Sequence, residues 1–317
     1  MSISPAVKAC PGRLLQKGLL LAVAIGGSAN LRPLAGQQQG RVLRSRTDMV
    51  TVLASVTDAS GRPMPDLAKD AFRLAEEGVP QRVEYFEAQT NRPLDLALMI
   101  DSSLSTYKDL HFETEAAAHF IMQVMRPGDT MGLFEFSESV TRLADFSPNV
   151  TALQAAVRRI SPGAGTSIYD AIVLASGELK RRPGTRRRAI VLVTDGGETT
   201  SISKFEDTRR AAIASEALLY TILIRPVKNE GGRNTAGEHA LITITDNVGG
   251  NMYILDDMAQ IQEMFDRINR ELRTQYLLGY YPSPTPSPGS DRHVSLEVAG
   301  DYAVRYRKEY FTPGTPR

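Results

Sequence analysis

Cysteine and histidine are both scarce in this chain. Its 317 residues include one cysteine and four scattered histidines. A single cysteine excludes an intramolecular disulfide and also excludes a cysteine cluster that could hold zinc. Four dispersed histidines give no basis for a histidine-rich metal site. The fold therefore has to be held together by packing alone.

The chain also lacks an excess of charge of either sign. Its 37 basic and 36 acidic side chains leave a formal net charge of +1. A nucleic-acid protein would need a basic face to attract phosphates, so this class is not expected. Apolar residues make up 42% of the chain, enough to build real cores and to exclude wholesale disorder. The length suggests about two domains of roughly 150 residues each.

The apolar run near the amino terminus is only about half the ~20 residues that a membrane-spanning helix requires. Residues 18–27 (GLLLAVAIGG) follow three basic residues and precede Ser28 and Ala29. This order is typical of a secretory signal. We therefore expect residues 1–29 to be cleaved, leaving a secreted or periplasmic protein without a transmembrane helix. A cytosolic protein with a buried amino-terminal helix, or an uncleaved anchor, is the alternative.

Residues 92–273 alternate between short apolar runs and helical patterns. The runs at 94–101 and 187–194 are almost continuously apolar, as in strands that are buried on both faces of a parallel sheet. Strands that alternate with helices of this length predict an α/β fold with a doubly wound, mostly parallel sheet.

Two β-rich segments flank this α/β region, at residues 47–91 and 274–312. An independent sheet usually needs about three strands with a packed face, and neither segment alone has enough. We therefore expect the two flanks to pair into one small β-sandwich, with the α/β domain inserted between them. Residues 30–46 are expected to be a flexible leader and residues 313–317 a tail.

Oxygen-bearing side chains follow the strands of the α/β region. D-x-S-x-S follows the strand at 94–101, G-x-G-T-S precedes a helix near residue 168, and T-D-G-G follows the strand at 187–194. Ligands of open α/β sheets bind at the carboxyl ends of the strands, so these motifs could place two carboxylates and three hydroxyls around one point. Such hard donors suit Mg²⁺, Ca²⁺ or Mn²⁺ rather than zinc or copper. Taken alone, the first motif could also be a helix cap.

The three motifs together resemble the metal-ion-dependent adhesion site of von Willebrand factor type A domains. The similarity spans roughly residues 92–272 in the order of strands and helices. It implies a divalent cation, with Mg²⁺ as first choice, and a partner's Glu or Asp that completes the coordination. The flanks resemble exported bacterial "VWFA-related" proteins of acidobacterial type. The metal ligands implied by the resemblance are Asp101, Ser103, Ser105, Thr166 and Asp195.

This resemblance predicts a binding protein rather than an enzyme. The chain has no G-x-S-x-G elbow, no P-loop and no dinucleotide fingerprint after its first α/β strand. The predicted function is capture of an acidic side chain of a protein partner through the cation. A metal-independent structural module of the cell envelope is the alternative. A metal-assisted hydrolase ranks last, because no general base is visible near the proposed ion. The partner and the oligomeric state stay open.

Three features near these motifs have structural interpretations. We expect Asp170 to offset a helix dipole or to support the site without ligating the cation. Glu198 is expected to be a solvated surface residue. The run KRRPGTRRR at residues 180–188 is expected to be a helix end and a solvated loop, in preference to a basic patch for an anionic partner.

Overall fold

A computed structural model of the chain describes residues 49–104, 110–225 and 235–314. The expected signal peptide and leader, residues 1–46, lie outside the described residues, and so does Ser105. The described residues belong to one compact unit, residues 46–317. None of the helices described is both long and apolar enough to cross a membrane.

The described residues form six α-helices and three sheets. The strands are β1 (Val50–Thr57), β2 (Phe72–Glu76), β3 (Val79–Gln81), β4 (Tyr85–Glu87), β5 (Leu94–Asp101), β6 (Thr130–Phe136), β7 (Val140–Ser147), β8 (Arg187–Thr194), β9 (Leu218–Ile224), β10 (Asn251–Leu255), β11 (Tyr276–Tyr280), β12 (Asp291–Val298), β13 (Ala303–Tyr306) and β14 (Glu309–Phe311). The helices are α1 (Leu110–Val124), α2 (Val150–Val157), α3 (Ile168–Lys180), α4 (Phe205–Ser215), α5 (Thr235–Val248) and α6 (Ile261–Arg273).

The central sheet has six strands in the order β10-β9-β8-β5-β6-β7. Neighbouring strands are parallel except at one edge, where β7 runs antiparallel to β6. Helices α1, α2 and α6 pack on one face of the sheet, and α3, α4 and α5 pack on the other. The expected doubly wound α/β fold is confirmed.

The sequence of β5 shows why this sheet needs helices on both faces. All eight of its residues are buried. Leu94, Leu96, Leu98 and Ile100 point to the core under α1 and α6, while Ala97 and Met99 point to the core under α3 and α5. Successive strand residues face opposite sides of a sheet, so an unbroken apolar run needs two apolar layers to cover it.

The flanking strands form two four-stranded sheets, in the orders β13-β1-β11-β4 and β14-β12-β2-β3. Strand β1 pairs antiparallel with β11, and β2 pairs antiparallel with β12, so each sheet combines strands from both flanks. Side chains of the two sheets share one apolar core that includes Val52, Leu74 and Tyr276. This is the small sandwich that the fold-class prediction places beside the α/β domain. The exact domain limits at residues 91, 273 and 312 stay predictions.

Part of the basic run at residues 180–188 has a different environment from the one expected. Arg187 and Arg188 are buried at the start of β8. Arg187 donates to the backbone oxygen of Arg92 at 2.8 Å and to that of Leu272, and Arg188 donates to the backbone oxygen of Ser215 at 2.9 Å. Only these two residues depart from the expected helix end and solvated loop: α3 ends at Lys180 and residues 183–185 are exposed, whereas Arg187 and Arg188 belong to the buried strand β8.

Candidate metal centre

The candidate site lies where the strand order of the central sheet reverses. After β5 the chain crosses to β6 on one side, and it later places β8 on the other side of β5. Asp101 is the last residue of β5, and Asp195 directly follows the last residue of β8. The two carboxylates therefore reach the same edge of the sheet, at the position where open α/β sheets bind ligands.

Asp101 is completely buried and held on both carboxylate oxygens. Its Oδ1 accepts from the backbone N–H of Ser103 at 2.9 Å, and its Oδ2 accepts from the hydroxyl of Thr194 at 2.6 Å. Burial raises the pKa of Asp101 to about 6, opposed by the hydrogen bonds from Thr194 and Ser103, while the charge of Asp195 adds to the rise. A buried carboxylate beside a second one is electrostatically costly, and a cation between them offsets that cost.

Asp195 faces a gap that is kept open by glycine. Its Oδ1 accepts from the backbone N–H of Gly197 at 3.0 Å. A Cβ atom at Gly197 would lie 3.1 Å from Asp195 Oδ1 and 3.8 Å from Thr166 Oγ1. Any larger residue would thus extend into the space next to two of the predicted ligand oxygens. The residues present therefore fit a small cation coordinated by oxygen.

Backbone hydrogen bonds tie the three site loops together. The N–H of Gly163 donates to the backbone oxygen of Ser102 at 2.8 Å. Three hydrogen bonds link Thr166 and Thr199. Thr166 N–H donates to the Thr199 hydroxyl and Thr199 N–H donates to the Thr166 backbone oxygen, both at 2.9 Å, and the Thr199 hydroxyl donates to the same oxygen at 3.4 Å. A Cβ atom at Gly163 would lie 2.3 Å from Ser137 Oγ, so this close approach requires glycine. The ligand positions are thus set by the backbone.

Two acidic residues brace the loop that carries Asp195: Glu198 differs from its expected role, whereas Asp170 has the supporting role expected of it. Glu198 is half-buried and accepts from the N–H of Tyr169 at 3.1 Å and from the N–H of Ser201 at 2.9 Å. Its interpretation as a solvated residue is wrong. Asp170 accepts from the N–H groups of Ile202 and Ser203, both at 2.9 Å. Through these two hydrogen bonds Asp170 supports the loop, and neither bond involves a predicted cation ligand.

Four of the five predicted ligands lie at the carboxyl edge of the sheet. Asp101, Ser103 and Thr166 are buried, and Asp195 is partly exposed. Ser105 follows shortly after Ser103 but is not among the described residues. Within the described part of the chain, no three His, Cys, Asp or Glu side chains come together as a metal cluster. A cation here would therefore depend on hydroxyls as well as carboxylates.

The comparisons with known proteins agree with this geometry. Residues 96–198 match the family model described as von Willebrand factor type A domain. No curated protein matches the chain. A solved von Willebrand factor type A structure from Catenulispora acidiphila is similar at 14% identity, with a TM-score of 0.50, over 86% of this chain and 75% of that one.

Two further solved structures are similar over a smaller share of the chain. BatB from Bacteroides thetaiotaomicron is 16% identical, with a TM-score of 0.44, over 57% of this chain and 100% of that one. Proximal thread matrix protein 1 from the mussel byssus, with a zinc-occupied MIDAS motif, is 14% identical, with a TM-score of 0.48, over 60% of this chain and 47% of that one. At such identities structural similarity concerns the fold alone. Residues 96–198 are therefore similar to a von Willebrand factor type A domain, both in the family match and in the doubly wound sheet.

Proposed function

We propose that this protein is exported and that it binds a protein partner through a divalent cation held at the carboxyl edge of its central sheet. The observation that carries the proposal is that Asp101 and Asp195 follow neighbouring parallel strands to the same edge of the sheet. There Asp195 and Thr166 both lie within 4 Å of the position of a Cβ atom at Gly197. Ser105 is proposed as the third hydroxyl ligand. The ligands are Asp101, Ser103, Ser105, Thr166 and Asp195.

The charge at this edge supports a small hard cation, with Mg²⁺ preferred over Mn²⁺ and Ca²⁺. Carboxylate and hydroxyl oxygens are the donors that these ions accept. Two anionic ligands leave the ion with an open or water-filled position and with the ability to attract a further carboxylate. The proposed role is therefore reversible capture of a Glu or Asp side chain supplied by the partner.

The surroundings of the site indicate what else the partner contacts. Leu104, next to Ser103, is 65% exposed, and Ile202, in the braced loop, is 92% exposed. Asp170 accepts from the N–H of Ile202, which fixes the backbone from which this side chain projects. A partner segment that presents an apolar side chain beside its carboxylate would cover both exposed side chains, Leu104 and Ile202. No catalytic role is proposed, because capture requires no general base.

The first test is calorimetric titration of the full chain with Mg²⁺ and Mn²⁺. We expect saturable binding in the wild type and at least about tenfold weaker binding in Asp101→Asn, which keeps the shape of the side chain but removes its charge. Asp145→Asn is the matched control, since the Asp145 side chain is 83% exposed on β7. Urea unfolding of each variant shows whether it is folded. Equal cation affinity in wild type and Asp101→Asn would contradict the proposed site.

The second test asks whether the cation mediates partner binding. Immobilised full chain is exposed to peptides that contain one Glu or Asp and to matched peptides with Gln or Asn. We expect retention of the acidic peptides only, with release by EDTA and loss in Asp101→Asn. Retention that survives both EDTA and this substitution would instead support the alternative, a metal-independent structural module of the cell envelope.

A further inference from the structure

A small cavity at the amino edge of the central sheet is lined mainly by arginines. It has a volume of about 50 Å³ and lies between the start of β8 and strands β1 and β11 of the sandwich. The charged residues that line it are Arg92, Arg186, Arg187, Arg188, Arg307 and Glu216. Five arginines and one glutamate are thus the charged residues among the described lining residues.

The carboxylates near this cavity compensate its arginines only in part. Arg92 Nε lies 3.6 Å from Glu87 Oε2, outside the cavity lining. Arg186 Nε lies 2.8 Å from Asp95 Oδ1, which supplies that arginine with its own partner. Glu216 is shared, because its two oxygens lie 3.8 Å from an Nη atom of Arg188 and 3.3 Å from one of Arg307. No carboxylate of the described residues forms an ion pair with Arg187, whose guanidinium donates to carbonyl oxygens instead.

Burial raises the energetic cost of this excess positive charge. The Arg307 side chain is only 12% exposed and that of Arg188 only 8%. The Nε of Arg188 is buried and has no hydrogen-bond partner among the described residues. Burial lowers the pKa of Arg187 to about 10, which leaves this guanidinium protonated at neutral pH, and burial also lowers the pKa of Arg307. Buried charges of one sign are stable only when a counter-charge offsets them.

We propose that this arginine cavity binds one small inorganic oxyanion, phosphate or sulfate, and that the bound anion joins the β-sandwich to the amino edge of the parallel sheet. Guanidinium groups present paired N–H donors that match oxyanion geometry. A single water needs about 10–15 Å³, so the cavity has room for a few waters or for one tetrahedral anion in their place. The lining residues come from both the sandwich and the α/β domain, so an anion bound there would contact both.

The test uses metal-free full chain in EDTA, so that phosphate cannot bind through a cation at the carboxyl edge. Thermal unfolding is followed with increasing sodium phosphate or sulfate, against sodium chloride at equal ionic strength. We expect a saturable rise in Tm of roughly 5 °C at a hundredfold excess over the Kd, beyond any rise in chloride. An equal response to all three salts would overturn the proposal.

Variants with opposite expected effects sharpen this test. Arg307→Gln should weaken phosphate binding at least about tenfold, measured by calorimetry, because it removes a cavity cation. Glu216→Gln should tighten phosphate binding several-fold, because the substitution removes the carboxylate that competes with the anion. All the arginines of the cavity are kept in this variant. Arg158→Gln is the matched control, since Arg158 pairs with Glu115 on the surface.

Three results would overturn the inference. The first is Glu216→Gln with unchanged phosphate affinity, and the second is Arg158→Gln that weakens binding as much as Arg307→Gln. The third is glycerol 3-phosphate that binds as tightly as inorganic phosphate, because the glycerol group adds to the volume of an anion that already fills a cavity of about 50 Å³. The proposed cation site is unaffected by any of these outcomes, because EDTA is present throughout.

Discussion

Strand β8 begins with Arg187 and Arg188 at the amino edge of the central sheet and ends with Thr194, next to Asp195, at the carboxyl edge. At the amino edge the sandwich covers the strand, and buried guanidinium groups donate to backbone oxygens of neighbouring elements. At the carboxyl edge glycine-containing loops keep the carboxylate and hydroxyl oxygens around an open gap. Both edges are polar, but the arginines of the amino edge are buried and bonded to neighbouring elements, whereas Asp195 at the carboxyl edge is partly exposed.

Of the substitutions at the two edges, we expect Arg187→Met at the amino edge to have the largest effect on stability. Replacement by Met removes a buried guanidinium that donates to the oxygens of Arg92, Leu272 and Gln275, and it leaves these acceptors unsatisfied. We expect the free energy of unfolding to fall by about 3 kcal/mol, measured by urea denaturation.

Arg181→Met is the control for this substitution, because the Arg181 side chain is 71% exposed. It should change stability by less than about 0.5 kcal/mol. A loss below about 1 kcal/mol in Arg187→Met would show that the amino edge is not held by this residue.

At the carboxyl edge, Gly197→Ala should weaken cation binding without unfolding the protein. The added methyl group would lie 3.1 Å from Asp195 Oδ1 and 3.8 Å from Thr166 Oγ1, so it narrows the gap between them. We expect roughly tenfold weaker Mg²⁺ binding by calorimetry, which corresponds to about 1.4 kcal/mol.

Gly177→Ala is the matched control, because a Cβ atom there meets nothing within 4 Å and the residue lies inside α3. It should leave the cation affinity unchanged and raise stability by up to about 1 kcal/mol, since Ala favours a helix over Gly. Equal cation affinity in the two variants would argue against a site beside Gly197.

The brace between α3 and the loop after Asp195 should show a pH-dependent contribution from Asp170. Burial raises the pKa of Asp170, but hydrogen bonds from Ser203 and Ile202 outweigh it and leave the pKa below its usual value of 3.8. A lowered folded-state pKa stabilises the protein above the unfolded-state pKa, and this stabilisation is lost as the pH falls through the folded-state value.

Asp170→Asn should therefore cost about 1 kcal/mol of stability at pH 7. The difference from the wild type should shrink as the pH falls below the usual pKa of Asp, measured by urea unfolding at several pH values. A difference that is independent of pH would show that the charge of Asp170 does not contribute to the brace.

The smallest effect is expected for Ile202→Ser. This side chain is 92% exposed, so the substitution should change stability by less than about 0.5 kcal/mol and leave the Mg²⁺ affinity unchanged. If the proposed partner covers Ile202, retention of an acidic peptide with an adjacent apolar residue should fall about two- to fivefold. Unchanged retention would remove Ile202 from the proposed binding surface.

Much of the fold was predictable because its signals are local. The apolar runs that became β5 and β8 are bounded by polar residues at both ends, and this pattern places Asp101 and Asp195 at strand ends. The turn between β2 and β3 consists of Glu77 and Gly78, whose φ angles of 49° and 76° are positive. Left-handed backbone of this kind favours glycine at tight hairpin turns.

The contacts of charged residues were less predictable. Glu198 accepts from Tyr169, a residue 29 positions earlier, so no local pattern connects the two. The arginines of residues 186–188 have the composition of a solvated segment, yet two of them are buried beneath the sandwich. Their burial depends on the pairing of strands that lie far apart in the sequence, so it arises only once the sheets have assembled.

The order of residues along the chain was enough to predict the alternation of strands and helices and the polar residues at the strand ends, because side-chain periodicity and the direction of parallel strands determine both. The oxygen donors of the candidate cation site were predicted from the resemblance to von Willebrand factor type A domains. The width of the gap at Gly197, the brace formed by Glu198 and Asp170, and the arginine cavity at the amino edge arise only when segments distant in sequence pack together. Burial and proximity set the energy of a charge, and both are properties of the folded chain.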